Sequence, residues 1–158
     1  VDENPSAGSP LFGTPLSYQA NNSEVMAVLL DVESWPATGP TINQGHVKNP
    51  QKTTYLSATR AGNTTSPGVG PDGVYRDPWG NPYIITIDLN YDDKARDAFY
   101  RLPAVSAGGL NGLILNGPGT FYEANSPVMV WSPGPDKMID PNSPANKGAN
   151  RDNILSWK

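Results

Sequence analysis

The stretch RDPWGNPYIITIDLNYD, residues 76–92, decides the fold. Within it, residues 77–80 (DPWG) place Asp, Pro and Gly at the first, second and fourth positions of a type I turn, where each is favoured. Pro82 then restrains the preceding residue to an extended backbone. Apolar residues alternate from Tyr83 to Leu89, and a period of two rich in β-branched residues indicates a strand. The stretch therefore predicts a tight turn that leads into a central strand, with Trp79 covering one end of the sheet.

The rest of the chain predicts an α+β fold, in which one helix packs on a small antiparallel sheet with long loops. The helix is predicted over residues 23–35 (SEVMAVLLDVESW), because Pro36 disfavours a longer one. Residues 92–100 predict one or two further helical turns, and strands are predicted at 128–132 (VMVWS) and 154–157 (ILSW). The 16 glycines and 17 prolines among 158 residues indicate short elements joined by many loops. We expect one domain over residues 1–158, with residues 1–22 as an extended segment.

Bulk composition argues against several functional classes. The net charge of −4 gives no basic footprint for nucleic acid, so we expect no nucleic-acid partner. The chain has no cysteine, which removes disulfides and thiolate chemistry from consideration. No apolar run approaches the roughly 18 residues of a membrane span. Because the sequence begins with Val and not Met, we expect it to be a processed or trimmed piece of a longer chain.

Candidate catalytic residues have ordinary structural explanations. His46, the single histidine, lies in a polar segment (NQGHVKNP) that is typical of a surface loop. Residues 68–73 (GVGPDG) are a loop by composition, since no helix is predicted after them and Pro71 has no amide for a phosphate. Residues 88–92 (DLNYD) begin like an EF-hand loop, but the required later Gly and Glu are missing. A carboxylate pair for glycoside hydrolysis could be drawn from the aspartates Asp77, Asp88, Asp92, Asp93 and Asp97, although turn and cap roles are commoner. We expect the protein not to be an enzyme.

The segment after Trp131 is a long polar stretch rich in Asp and Asn. A loop of this length in a compact domain needs something that organises it. Ca²⁺ takes six to eight oxygen ligands and would do so, whereas a set of turns is the simpler alternative. Composition leaves these two explanations open.

Three motifs in order, DPWGNPY (77–83), VWSPGPD (130–136) and DNILSW (152–157), resemble those of type II secretion pseudopilins of the major, G-like type and related prepilin-type proteins. The match covers the C-terminal half well and residues 22–76 loosely. The resemblance implies a globular head on an N-terminal stalk helix, with subunits that assemble into a pseudopilus or a type IV pilus-like filament. Its partners would be other pseudopilin subunits and the secretion machinery, at the periplasmic side of the inner membrane or in an extracellular filament. Membrane contact would be made only through the stalk helix.

The resemblance also implies a Ca²⁺ site in the loop between the last strands. By position, Asp136 matches the aspartate of the S-x-G-x-D motif, and Asp152 matches the aspartate before the last strand. The chain departs from the family pattern in two ways: the stalk helix is absent from these residues, and the interval between the two aspartates is longer than usual, with Lys137 where a small residue is customary.

A second function remains open, namely a calcium-dependent binding or adhesion module for a carbohydrate or protein ligand. Exposed tryptophans could stack on sugars. The turn and strand positions of Trp79, Trp131 and Trp157 instead predict core roles.

Overall fold

The computed structural model describes residues 22–117 and 119–157. It shows a mixed helix and sheet architecture with few, short helices and small antiparallel sheets. By their internal contacts the residues fall into two compact units: the first unit, residues 22–83, and the second unit, residues 84–157. In the described residues, no helix is both long enough and apolar enough to cross a membrane.

The first unit contains one α-helix and two small hairpins. Its elements are α1 (Ser23–Leu29), β1 (Ser34–Trp35), β2 (Gly39–Pro40), a 3₁₀ turn (Gln44–His46), β3 (Gly68–Val69) and β4 (Tyr75–Arg76). Strand β1 pairs with β2, and β3 pairs with β4, both antiparallel. Residues 68–73, predicted to be a loop throughout, therefore contribute a strand and the turn of a hairpin.

Helix α1 is shorter than predicted. It ends at Leu29, and Asp31 already has a left-handed backbone with φ of 53°. The side chain of Asp31 accepts hydrogen bonds from Asn43 and His46, which fix this residue from a distant part of the sequence. The N–H groups of Val32 and Asp31 also donate to the carbonyl oxygens of Ala27 and Val28, so a local Schellman end, supported by these side-chain contacts, stops the helix before Pro36.

The second unit carries the larger sheet. Its elements are β5 (Ile84–Ile87), α2 (Pro103–Ser106), a 3₁₀ turn (Leu110–Gly112), β6 (Ile114–Leu115), β7 (Tyr122–Glu123), β8 (Val128–Ser132), a 3₁₀ turn (Gly148–Asn150) and β9 (Ile154–Leu155). Strand β8 lies in the centre of a three-stranded antiparallel sheet in the order β5-β8-β9, while β6 and β7 form a hairpin. The strands predicted at 83–89, 128–132 and 154–157 are present as β5, β8 and β9 of one sheet, although β5 and β9 are shorter than predicted.

The alternation in β5 is confirmed. Ile84, Thr86 and Asp88 are buried, whereas Leu89 on the opposite face is exposed. Thr86 is tolerated inside because its hydroxyl donates to the carboxylate of Asp97 at 2.8 Å.

The helical turns predicted at residues 92–100 are present only in part: one turn follows Asp97, closed by the N–H of Arg101, which donates to the carbonyl oxygen of Asp97 at 3.0 Å. This segment consists of bends, one bridge between Ala95 and Ala124, and a turn. The carboxylate of Asp97 accepts the backbone N–H groups of Phe99 and Tyr100, both at 2.9 Å. An aspartate that accepts the N–H groups two and three positions later caps the N-terminus of a helical turn, so Asp97 starts this turn.

An aromatic core fills the second unit. Phe99, Tyr100 and Trp131 are at most 1% exposed, and their ring centroids lie 5.0 to 5.3 Å apart. Trp157, which is partly buried, adds an edge-to-face contact with Tyr100 at 5.1 Å. Trp131 and Trp157 thus contribute to the core, as predicted.

Candidate functional site

The candidate site is the loop of residues 133–153, which connects β8 to β9. It begins where β8 ends at Ser132, which is fully buried. Gly134 has φ of 74°, and a Cβ atom at this position would lie 2.3 Å from the carbonyl oxygen of Asp152. Only glycine permits this backbone and this close approach. The two ends of the loop are therefore held together immediately outside the sheet.

The structure brings Asp136 and Asp152 together. The backbone N–H of Asp136 donates to Oδ2 of Asp152 at 3.3 Å. Oδ1 of Asp136 accepts the backbone N–H of Met138 at 2.8 Å, forming a local turn. The two residues assigned to metal binding by the resemblance are thus neighbours, although 16 positions separate them in the sequence.

A buried amide organises the middle of the loop. Asn150 is 1% exposed, and its Nδ2 donates to the carbonyl oxygens of Asp140 and Ser143, both at 2.8 Å. Its Oδ1 accepts the backbone N–H of Asp140 at 2.8 Å. One side chain therefore provides the organisation that a loop of this length needs.

Two further contacts tie the loop to the core of the second unit. The backbone N–H of Ala145 donates to the carbonyl oxygen of Val105 in α2 at 2.8 Å. Near the end of the loop, the amide of buried Asn153 donates to the hydroxyl of Tyr100 at 2.8 Å. The loop is thus shaped by protein hydrogen bonds at its ends and at its centre.

The oxygen chemistry of Asp136 and Asp152 is of the kind that Ca²⁺ uses. Carboxylates and backbone carbonyls are both available where the two residues meet. In the described residues, however, no group of three or more Asp, Glu, His or Cys side chains is arranged to hold a metal. A Ca²⁺ ion here would rely on two carboxylates, with carbonyl oxygens and water completing its shell.

His46 lies in the first unit between two carboxylates. Its Nδ1 is 2.8 Å from Oδ1 of Asp31, and its Nε2 is 3.2 Å from Oε1 of Glu33. The hydrogen bond with His46 holds the pKa of Asp31 below its ordinary value. Both ring nitrogens are engaged, so His46 links two segments of the first unit.

Asp77 holds the turn at the start of the opening motif. The turn is closed by a bond of 3.0 Å from the N–H of Gly80 to the carbonyl oxygen of Asp77. The Asp77 carboxylate is buried and accepts the N–H groups of Trp79 and Asn81 at 2.9 and 2.8 Å. The prediction of a turn at residues 77–80 is confirmed.

Trp79 lies on the surface, so its predicted burial over the end of a sheet is wrong. Its side chain is 39% exposed. The turn is held by the carboxylate of Asp77, which makes a buried tryptophan unnecessary for its shape.

In the second unit, the carboxylates of Asp88, Asp92 and Asp97 accept hydrogen bonds from local backbone, and Asp93 donates its N–H to Asp88. The Asp88 carboxylate accepts three N–H groups, from Asn90, Tyr91 and Asp93, at 2.8 to 3.0 Å. Asp92 accepts the N–H of Lys94, and its own residue is exposed. Asp97, 1% exposed, also accepts the indole N–H of Trp131 at 3.0 Å.

Sequence reasoning missed Asn150 as the centre of the loop. Asparagine is common in turns, and nothing in its immediate context distinguishes this residue from Asn142 or Asn146. Its burial depends on two carbonyl groups seven and ten positions away, which a reading of local pattern does not reveal.

Comparison with known proteins adds no relative. A scan against protein-family models found no match, and searches of curated proteins and of solved structures found none.

Proposed function

We propose that this chain is the head domain of a structural subunit of a type II secretion pseudopilus or a type IV pilus-like assembly. One observation carries the proposal: the VWSPGPD and DNILSW motifs enclose a single loop between the adjacent strands β8 and β9, and Asp136 and Asp152 meet there. The DPWGNPY motif directly precedes β5, the third strand of the same sheet. The three motifs behind the resemblance thus mark the three strands of one sheet.

On this proposal the protein has no catalytic step. Its partners are other pseudopilin subunits and the secretion machinery. It works in the cell envelope, at the periplasmic side of the inner membrane or in an extracellular filament, and a stalk helix outside the described residues provides the membrane contact.

Cysteine cross-linking in cells tests the assembly role. The 158 residues contain no cysteine, so two cysteines introduced at exposed positions, such as Asn90 and Lys147, are the only thiols in this part of the protein. With the full natural precursor expressed in its own cell, an oxidant should give a ladder of covalent multimers from some pairs of positions. A product that stays monomeric for every pair tried on both units would overturn the proposal.

We also propose that Asp136 and Asp152 bind Ca²⁺. An ion at 100 times its Kd would stabilise the folded state by about 2.7 kcal/mol, so Ca²⁺ should raise Tm and EDTA should lower it. Asp136→Ala and Asp152→Ala should abolish this response, whereas the control Asp92→Ala, at an exposed capping residue, should keep it. A response that survives in both loop variants would show that this assignment is wrong.

A second candidate function is a calcium-dependent binding or adhesion module, favoured by the exposure of Trp79. An indole displayed on a rigid turn suits stacking against the apolar face of a sugar. Oligosaccharide that protects Trp79 from acrylamide quenching would support this function, and Trp79→Phe would identify the fluorophore. Unchanged quenching across a panel of oligosaccharides would favour the assembly role.

A further inference from the structure

A cavity of about 360 Å³ lies within the first unit. Its size is in the range of small-molecule sites, roughly 300–1,000 Å³. Three segments line it, at residues 34–36, 60–61 and 69–71, together with Val32. The cavity belongs to neither the loop of Asp136 and Asp152 nor the turn of Trp79.

Backbone hydrogen bonds hold the cavity walls in position. The N–H of Ala37 donates to the carbonyl oxygen of Pro71 at 3.0 Å. Strand β3 fixes the neighbouring wall, because Val69 donates to Thr59 at 2.8 Å and accepts from Ala61 at 2.9 Å. The three segments are therefore tied to each other on two sides, which gives a cavity that is formed in advance of any ligand.

Trp35 is the main aromatic wall. It is 4% exposed, and a Cβ atom at Gly73 would lie 2.3 to 2.6 Å from three of its indole atoms. Gly73 also has φ of 78°, so the backbone packs against the indole only because this residue is glycine. The indole Nε1 of Trp35 is buried, and no acceptor for it lies in the described part of the chain. Buried N–H groups are nearly always paired, so this donor is unusual.

Arg60 supplies a positive charge at the same cavity. Its guanidinium carbon lies 5.0 Å from the centroid of the Trp35 ring, and its residue is exposed. Within residues 22–117 and 119–157, Arg60 forms no ion pair with a carboxylate. Arg76 in the same unit differs, since it is neutralised by Asp72 at 2.6 Å. The cavity therefore presents a cation beside apolar walls, and no carboxylate lines it.

We propose that this cavity binds a carboxylate attached to an apolar body. Arg60 pairs with the carboxylate, the ring of Trp35 packs against the ligand, and Val32, Val69 and Pro71 cover the apolar part. Charge-assisted hydrogen bonds to Arg are the strong ones, so the carboxylate fixes orientation while the walls supply burial. Two sources share this chemistry: a small aromatic acid and the C-terminal carboxylate of an apolar peptide.

Titration followed by the indole N–H signals in ¹⁵N NMR spectra tests the proposal on the intact chain. The four tryptophans give four resolvable indole signals once assigned. The probes are phenylacetate and its neutral analogue phenylacetamide, then acetyl-Ala-Phe with a free or an amidated C-terminus. Each is added to about 10 mM, ten times a Kd of 1 mM. We expect at least one acid to shift the Trp35 signal saturably and its neutral partner to leave it in place. Whichever acid saturates at the lower concentration, phenylacetate or the peptide with a free C-terminus, identifies the source of the carboxylate.

A matched pair of arginine variants completes the test. Arg60→Gln removes the charge from an exposed side chain and should weaken binding about tenfold or more. The control Arg151→Gln, also at an exposed residue but in the second unit, should leave the Kd unchanged. The proposal is overturned if neither acid shifts the Trp35 signal, if the neutral analogues shift it equally, or if Arg60→Gln binds like the parent chain.

Discussion

The two units of the chain are built on different physical principles. In the second unit, ten buried apolar or aromatic residues form one cluster around Trp131. None of the members of this cluster comes from the first unit. Burial of apolar surface at about 25 cal/mol per Å² is therefore the main stabilising term in residues 84–157.

In the first unit, hydrogen bonds from buried asparagine amides provide a large share of the stabilisation. Asn22 exchanges hydrogen bonds with the backbone of Tyr75 and donates to Tyr83, more than 50 positions away. Asn43 and Asn49 are both buried, and they satisfy backbone groups of α1 and of the segments that follow it. These side chains connect distant segments where the apolar core is small.

The difference predicts different sensitivities. An apolar cluster loses stability in proportion to the volume removed, whereas an amide connection leaves buried backbone groups without partners when it is removed. The following experiments are ordered by the size of the expected effect.

Trp131→Ala should have the largest effect, about 3–5 kcal/mol lost from the free energy of unfolding. The change empties the centre of the aromatic cluster and removes one hydrogen-bond donor from buried Asp97. Urea denaturation measures the loss. Trp131→Phe keeps a ring in place and should lose less, and equal losses in both variants would contradict an apolar origin of the effect.

Asn49→Ala should cost about 2–3 kcal/mol, because it removes a buried donor from the carbonyls of Val28 and Thr53, and Val28 keeps only the longer bond from Asp31 at 3.3 Å. Asn90→Ala is the matched control at an exposed residue, and it should change the free energy of unfolding by less than about 0.5 kcal/mol. Urea denaturation of both variants makes the comparison. Equal losses for the two would show that burial of the Asn49 amide is not what stabilises the first unit.

Trp79→Ala should cost about 1 kcal/mol or less, well below the cost of truncating a core tryptophan. The reason is its 39% exposure and the turn already held by Asp77. Chemical denaturation and acrylamide quenching give the two readouts. A loss as large as that of Trp131→Ala would mean that Trp79 is packed in solution.

The smallest effect is expected from the ionisation of Glu123, which should change the free energy of unfolding by about 1 kcal/mol or less across the pH range. Burial alone would raise the pKa of Glu123, but hydrogen bonds from Lys94 and Arg96 outweigh it and hold the pKa below 4.5, its ordinary value. Because the folded pKa is the lower one, the stabilisation is present above about pH 4.5 and is lost as pH falls through the folded value. Between pH 7 and pH 3, the Tm of Glu123→Gln should depend less on pH than the Tm of the parent chain. An identical dependence would show that Glu123 does not contribute to it.

The sequence predicts the second unit better than the first, for a physical reason. Strands β5 and β8 of the second unit are predicted from alternation and β-branched residues. In the first unit, the turn at residues 77–80 is predicted in the same local way, from its Asp and Pro. The pairing of Asp136 with Asp152 also follows from motif order. All of these signals are local or sequential, so a reading of pattern finds them.

The failures share a different cause, which is that a distant side chain overrides a local preference. Residues 30–35 have helical pattern, but a left-handed Asp31, closed by local backbone bonds and held by Asn43 and His46, ends the helix. Residues 92–96 have helical propensity, but Ala95 pairs with the distant Ala124, and a helical turn begins only at Asp97. Trp79 was expected to be buried because of its turn position, but the Asp77 carboxylate holds the turn without it. Partners of this kind are set by the tertiary structure and leave no periodic trace.

The carboxylate of Asp97 has a consequence for strand alignment. It accepts hydrogen bonds from the hydroxyl of Thr86 in β5 and from the indole N–H of Trp131 in β8, so it contacts both strands. Side chains alternate between the faces of a sheet. A slip of either strand by one position would therefore turn one of these donors to the opposite face and leave the buried carboxylate with fewer hydrogen-bond partners. A misaligned pairing of β5 with β8 would thus lose hydrogen bonds to Asp97 as well as side-chain packing, so this buried carboxylate favours the observed register.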